Sequence, residues 1–151
     1  MLLFAPGIGS FLLAQAMTGL GLLLLFVTAV PVVCSDSTKE TQAFTSLGFV
    51  QLAAALVIVP SLMLMKGWPL ASKVWRTIVT VGLAGAAFGA AFAWSHQRAE
   101  AVRFTIATAA LGVAFLVLRT VGFAMITIFR QRIKVRREAY LAEIQAIKRS
   151  L

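Results

Sequence analysis

The sequence is poor in charge, and most of the charge it has is positive. Only 13% of its 151 residues are charged, with 5 acidic residues against 14 lysines and arginines, whereas 60% are hydrophobic. A soluble domain covers its core with a surface that is much richer in charged residues. The composition therefore excludes an ordinary soluble globular protein.

Residue types that carry catalysis or bind metals are scarce as well. The chain has one cysteine, Cys34, and one histidine, His96, so it cannot form an intrachain disulfide or a histidine cluster. His96 is expected in an interfacial loop, where a single histidine could ligate a bis-histidine haem only across a symmetric dimer. The sequence also lacks paired carboxylates, a Ser-His-Asp set and a phosphate-binding loop. We therefore expect no enzyme activity, no catalytic residues, no metal site and no cofactor.

What the sequence does contain is long uncharged runs, at residues 1–35, 41–65, 77–97 and 104–118. A bilayer core about 30 Å thick requires roughly 20 apolar residues of helix, and the first three runs reach that length. The fourth run is interrupted by Arg119 and then resumes as far as Phe129. A β-barrel would require short segments of alternating polarity, which these runs do not show. The sequence predicts an all-α, polytopic membrane protein with four transmembrane helices.

Turn and capping residues set the expected boundaries of these helices. Pro6 to Gly9 resist regular helix, Ser37 and Glu40 have capping-box spacing, and Pro69 suits the first position of a new helix. The first apolar segment lacks a basic flank and is too long for a signal peptide, so we expect it to be retained. The predicted spans, within a single transmembrane domain of residues 1–129, are residues 10–33, 42–65, 74–94 and 102–124.

Residues 130–151 are predicted to form a basic amphipathic helix that continues helix 4 as one long rod. Its apolar side chains recur at helical spacing and form one stripe, namely Ile133, Tyr140, Ile144, Ile147 and Leu151. The segment could lie on an anionic leaflet or dock on a partner protein. Its lack of base-stacking aromatics and of a recognition fold argues against nucleic-acid binding.

The distribution of basic residues predicts the orientation. Ten basic residues flank the spans on one side, whereas Lys39, Arg98 and Arg103 lie on the other. The positive-inside rule then places both termini in the cytoplasm or matrix, in a bacterial or organellar inner membrane. Trp68 and Trp75 are expected at the inner interface and Trp94 at the outer one, as in aromatic belts.

Arg119 is the one charge expected inside the membrane. Its side chain either snorkels to the headgroups or pairs with an acid of another subunit, because the predicted spans contain no Asp or Glu. With the tail it defines the predicted partner or lipid contacts, namely Arg119, Arg130, Arg132, Lys134, Arg136, Arg137, Tyr140, Ile144 and Ile147.

Helix 3 carries three small residues, Gly82, Gly85 and Gly89, that are predicted to pack helices closely. This spacing fits packing within the chain and packing against another chain equally well. Together with Arg119 and the tail, it favours a non-catalytic subunit of a larger membrane complex, such as an energy-converting or secretion complex. The alternatives are a small oligomeric channel or transporter and a quinone- or haem-anchor subunit.

Overall fold

The computed structural model describes residues 7–33, 38–96 and 98–150, and within these it contains helices and no strand. The five helices are α1 (Ile8–Val33), α2 (Lys39–Met65), α3 (Ala71–Ser95), α4 (Ala101–Val117) and α5 (Val121–Ser150). The predicted all-α class is confirmed.

Three helices, α1, α2 and α3, are long and apolar enough to cross a membrane, and α4 with α5 adds a fourth span if the pair is counted as one. Their outward faces are as apolar as their core: Phe44 is 79% exposed, Val81 67% and Phe88 76%. Apolar surface of this extent is typical of helices surrounded by lipid rather than water.

Local chemistry sets the helix starts. The side chain of Thr38 accepts a hydrogen bond from the backbone N–H of Thr41 at 3.4 Å and so caps α2. This role had been expected from the Ser37 and Glu40 pair. Ser37, Cys34, Pro6 and Leu151 lie outside the described residues.

The predicted continuous helix 4 is wrong. α4 ends at Val117, and α5 leaves it at an angle of 58° after a short break. Thr120 lies at this break and caps α5: its hydroxyl donates to the Val117 carbonyl at 2.7 Å and accepts from the N–H of Phe123 at 3.3 Å. The basic tail therefore continues α5, and the predicted span 102–124 contains the break.

In the bundle, α4 packs against both α1 and α3, and α2 packs mainly against α1. Leu111 of α4 is fully buried and inserts where α1 and α3 present glycines. A Cβ at Gly21 would lie 2.5 Å from Leu111 Cγ, and one at Gly82 would lie 3.4 Å from Leu111 Cδ1. The two glycines therefore form the hole that Leu111 fills.

Trp75 is 0% exposed and lies in the hydrophobic core near the start of α3. Its ring meets Phe11 and Phe123 edge to face, each with centroids 5.7 Å apart, and its Nε1 donates to Thr18 Oγ1 at 3.2 Å. The expectation that Trp75 faces the headgroups is wrong, because these contacts place it in the core. Trp68 and Trp94 are exposed at opposite ends of α3.

Candidate functional site

Two arginines make contacts near the break between α4 and α5. The guanidinium of Arg76 donates to the carbonyl of Leu118 at 3.0 Å, a group that the end of α4 leaves without a helical partner. Arg119 is exposed, and its guanidinium lies 4.3 Å from the ring centroid of Phe115. No carboxylate pairs with Arg119 among the described residues. The cation–π contact therefore holds Arg119 along the outside of the bundle.

The apolar face of α5 is buried at its start and largely exposed further along the helix. Ile126 is fully buried, whereas Ile133 and Tyr140, each seven residues further on, are 43% and 63% exposed. Residues at this spacing lie on the same side of a helix. The remaining stripe residues described, Ile144 and Ile147, are half-buried and 54% exposed. One face of α5 thus packs in the bundle at its start and becomes exposed further along the helix.

The basic residues of α5 divide between opposite faces. One face meets the end of α2 and forms the basic pocket, a cavity of about 420 Å³ lined by Met65, Lys66, Arg130, Ile133, Lys134, Arg137, Glu138 and Leu141. The other face carries Arg132 and Arg136, which line a separate surface groove with Ile128, Gln131 and Val135. The tail is therefore not one uniform patch of charge.

Inside the basic pocket, Arg130 has an incomplete set of acceptors. Its Nη2 lies 3.4 Å from the sulfur of Met65, a weak acceptor, and its buried Nε has no partner among the described residues. Lys134 Nζ lies 3.7 Å from Glu138 Oε1. The pocket thus contains four cationic side chains and one carboxylate.

The turn between α2 and α3 packs directly against α5 beside this pocket. Gly67 has a φ of 71°, and a Cβ there would lie 2.8 Å from the carbonyl oxygen of Arg130. Lys66, next to it, was not among the predicted contact residues. Its role depends on a contact between segments 65 positions apart in the chain, for which the sequence gives no local signal.

Two of the three glycines of α3 pack against other helices of this chain, and the third is exposed. A Cβ at Gly82 would lie 3.0 Å from Leu22 Cδ2, and one at Gly89 would lie 2.7 Å from Phe104, so both positions pack inside this chain. Gly85 is exposed, and a Cβ there would lie 3.9 Å from its nearest neighbour, Leu25 Cδ2. It lies where two apolar grooves of about 330 and 390 Å³ adjoin, both also lined by Leu25.

His96 lies exposed at the end of α3, where its Nδ1 is 2.9 Å from the Phe92 carbonyl and 3.0 Å from Ser95 Oγ. Across the described ranges, no group of three or more His, Cys, Asp or Glu residues is placed to hold a metal ion. No family model matches the chain, and no curated protein or solved structure is significantly similar to it. The geometry offers two surfaces for binding, the exposed apolar stripe and the basic pocket.

Proposed function

We propose that this chain is a non-catalytic, multi-pass subunit that joins a larger membrane complex through the apolar stripe of α5. The observation that carries the proposal is the continuation of one helix face, from buried Ile126 to exposed Ile133 and Tyr140. A face that packs in the bundle and then extends beyond it has the pattern of a helix with a second partner.

Energetics supports a partner for this segment. An isolated helix in water is marginal unless an apolar face is covered, and burying one large apolar side chain contributes about 1.5–3 kcal/mol. The stripe is narrow, with Arg136 and Arg137 beside it, and a narrow stripe suits docking on another helix. A helix that lies in a lipid interface usually buries a broader apolar face.

The proposed orientation places both termini, α5 and the basic pocket on the cytoplasmic or matrix side of a bacterial or organellar inner membrane. Its support is the excess of ten basic residues over three beside the spans. Anionic lipids of that leaflet are then the second proposed partner, because basic residues near the surface attract them by about 1 kcal/mol each.

A co-purification experiment with matched variants tests the subunit proposal. The wild-type chain, Y140E/I144E and the control A142E/A146E are extracted in mild detergent, and co-purifying chains are identified by mass spectrometry. The control adds the same charge at the same spacing on the opposite, exposed side of α5. We expect the stripe variant to lose chains that the wild type and the control retain.

Two outcomes would contradict the proposal. In one, all three proteins purify as the same monomer. In the other, the wild-type chain alone conducts ions or solute in liposomes and Arg119→Gln abolishes the flux, which would favour the channel or transporter.

A further inference from the structure

The basic pocket between α2 and α5 has features that a docking helix does not require. Lys66, Arg130, Lys134 and Arg137 come from two elements and line one cavity, in which Glu138 supplies the single carboxylate. Lys134 Nζ lies 3.7 Å from that carboxylate, and none of the other three cations forms an ion pair among the described residues. The excess charge therefore favours an anionic ligand.

Arg130 indicates the chemical group that the pocket lacks. Its Nε is buried without an acceptor among the described residues, and leaving a buried donor of a charged group unpaired is destabilising. Its Nη2 reaches only the sulfur of Met65. A phosphate presents several strong oxygen acceptors in a geometry that a guanidinium fork matches.

We propose that the basic pocket is a specific binding site for a phosphate group, carried by an anionic lipid headgroup or free in solution. Apolar side chains of the same cavity, Met65, Ile133 and Leu141, would lie against the adjoining part of a lipid. Basic pockets between helices at the membrane surface bind lipid headgroups in this way. Ile133 belongs to both the pocket and the α5 stripe, but the four cations lie outside the stripe, so either proposal can fail while the other holds.

The test compares two double variants that remove the same charge from opposite faces of α5. The full-length protein in detergent is titrated with phosphatidylglycerol and, separately, with phosphatidylcholine, and bound lipid is counted by native mass spectrometry. We expect R130Q/R137Q to weaken phosphatidylglycerol binding about tenfold or more, with phosphatidylcholine binding unchanged. We expect R132Q/R136Q, on the groove side, to stay within about twofold of the wild type.

A second variant guards against a folding defect from Arg130, which is half-buried. Lys66 and Arg137 are exposed, so K66Q/R137Q leaves the packing intact and is expected to weaken phosphatidylglycerol binding as well. Equal losses in the pocket and groove variants would overturn the proposal in favour of diffuse attraction. Unchanged binding in all variants would overturn it too.

Inorganic phosphate distinguishes the two sources of the ligand. Phosphate titrated into the lipid-bound wild-type protein displaces the lipid if the site takes free phosphate. Retention of the lipid at phosphate concentrations in excess of the lipid assigns the site to the headgroup.

Discussion

Single side chains decide how tightly the helices of this bundle approach one another. Thr18 has two roles: its hydroxyl donates to the Ala14 carbonyl at 2.6 Å and accepts from Trp75 Nε1 at 3.2 Å. Thr18 and Trp75 are both fully buried, so their hydrogen bond has no competition from water. It joins α1 to α3 within the hydrophobic core.

We expect Thr18→Val to lower the free energy of unfolding by about 1–3 kcal/mol, because the buried indole N–H of Trp75 would lose its acceptor. The measurement is thermal or denaturant unfolding in detergent, followed by tryptophan fluorescence. Thr108→Val is the control, since the Thr108 hydroxyl serves only the Phe104 carbonyl of its own helix. Equal losses in the two variants would show that the hydrogen bond between helices contributes nothing.

Gly21 gives a second prediction at this scale. A Cβ there would lie 2.5 Å from Leu111 Cγ and 3.3 Å from the Ala107 carbonyl, so Gly21→Ala must displace the buried Leu111 side chain or move α1 and α4 apart. We expect a loss of about 1–3 kcal/mol in unfolding free energy. Gly112→Ala is the control, because nothing lies within 4 Å of its Cβ position.

The two glycine variants should change stability in opposite directions. Replacing glycine by alanine inside a helix where space is free stabilises it by up to about 1 kcal/mol. A drop of similar size at both positions would contradict the packing of Leu111 between Gly21 and Gly82.

At the scale of elements, the break between α4 and α5 shows what the sequence predicts and what it does not. The uncharged runs predicted α1, α2 and α3 to within a few residues, because lipid demands continuous apolar length. The same criterion joined α4 to α5, since no proline or glycine separates Val117 from Val121. The one local signal was Thr120, a good N-cap residue three positions before Phe123.

The candidate surfaces were predictable to a similar extent. The stripe of α5 follows from helical periodicity, which depends only on near neighbours along the chain. Which of its two basic faces meets the end of α2 does not follow from periodicity, because it depends on where the turn at Gly67 meets Arg130. The sequence predicted Trp75 at the membrane interface rather than in the core for a related reason. Its partners Phe11 and Phe123 lie far away in the sequence.

We expect Thr120→Ala to destabilise the junction by about 0.5–2 kcal/mol, since the N–H of Phe123 loses its capping oxygen. Spin labels on the exposed positions of Val113 and Val135, in a Cys34→Ser background, report the angle between α4 and α5 as a distance distribution. The distribution should broaden in the variant. In the control, Thr127→Ala, it should not change, because the Thr127 hydroxyl only serves the Phe123 carbonyl within α5.

At the scale of the whole molecule, the proposed orientation can be read from the single native cysteine. Cys34 follows α1, so the orientation places it on the side opposite the basic tail. We expect a membrane-impermeant maleimide to label Cys34 in sealed cells or organelles when it is applied from outside the inner membrane. In the control C34S/K148C, labelling should require permeabilisation. The reversed pattern would invert the topology, and with it the leaflet that the basic pocket faces.

The contact between Gly7 and Gly122 can form only after the start of α5 has been synthesised. Gly7, with a φ of 83°, lies so close to the Gly122 carbonyl that a Cβ would not fit there. About 115 residues separate the two, and ribosomes add roughly 5–20 residues per second, so Gly122 is added about 6–23 seconds after Gly7. During that interval the start of α1 has no protein to pack against at this position. Ribosome-bound chains that stop before α5 should therefore carry an inserted but unfinished bundle.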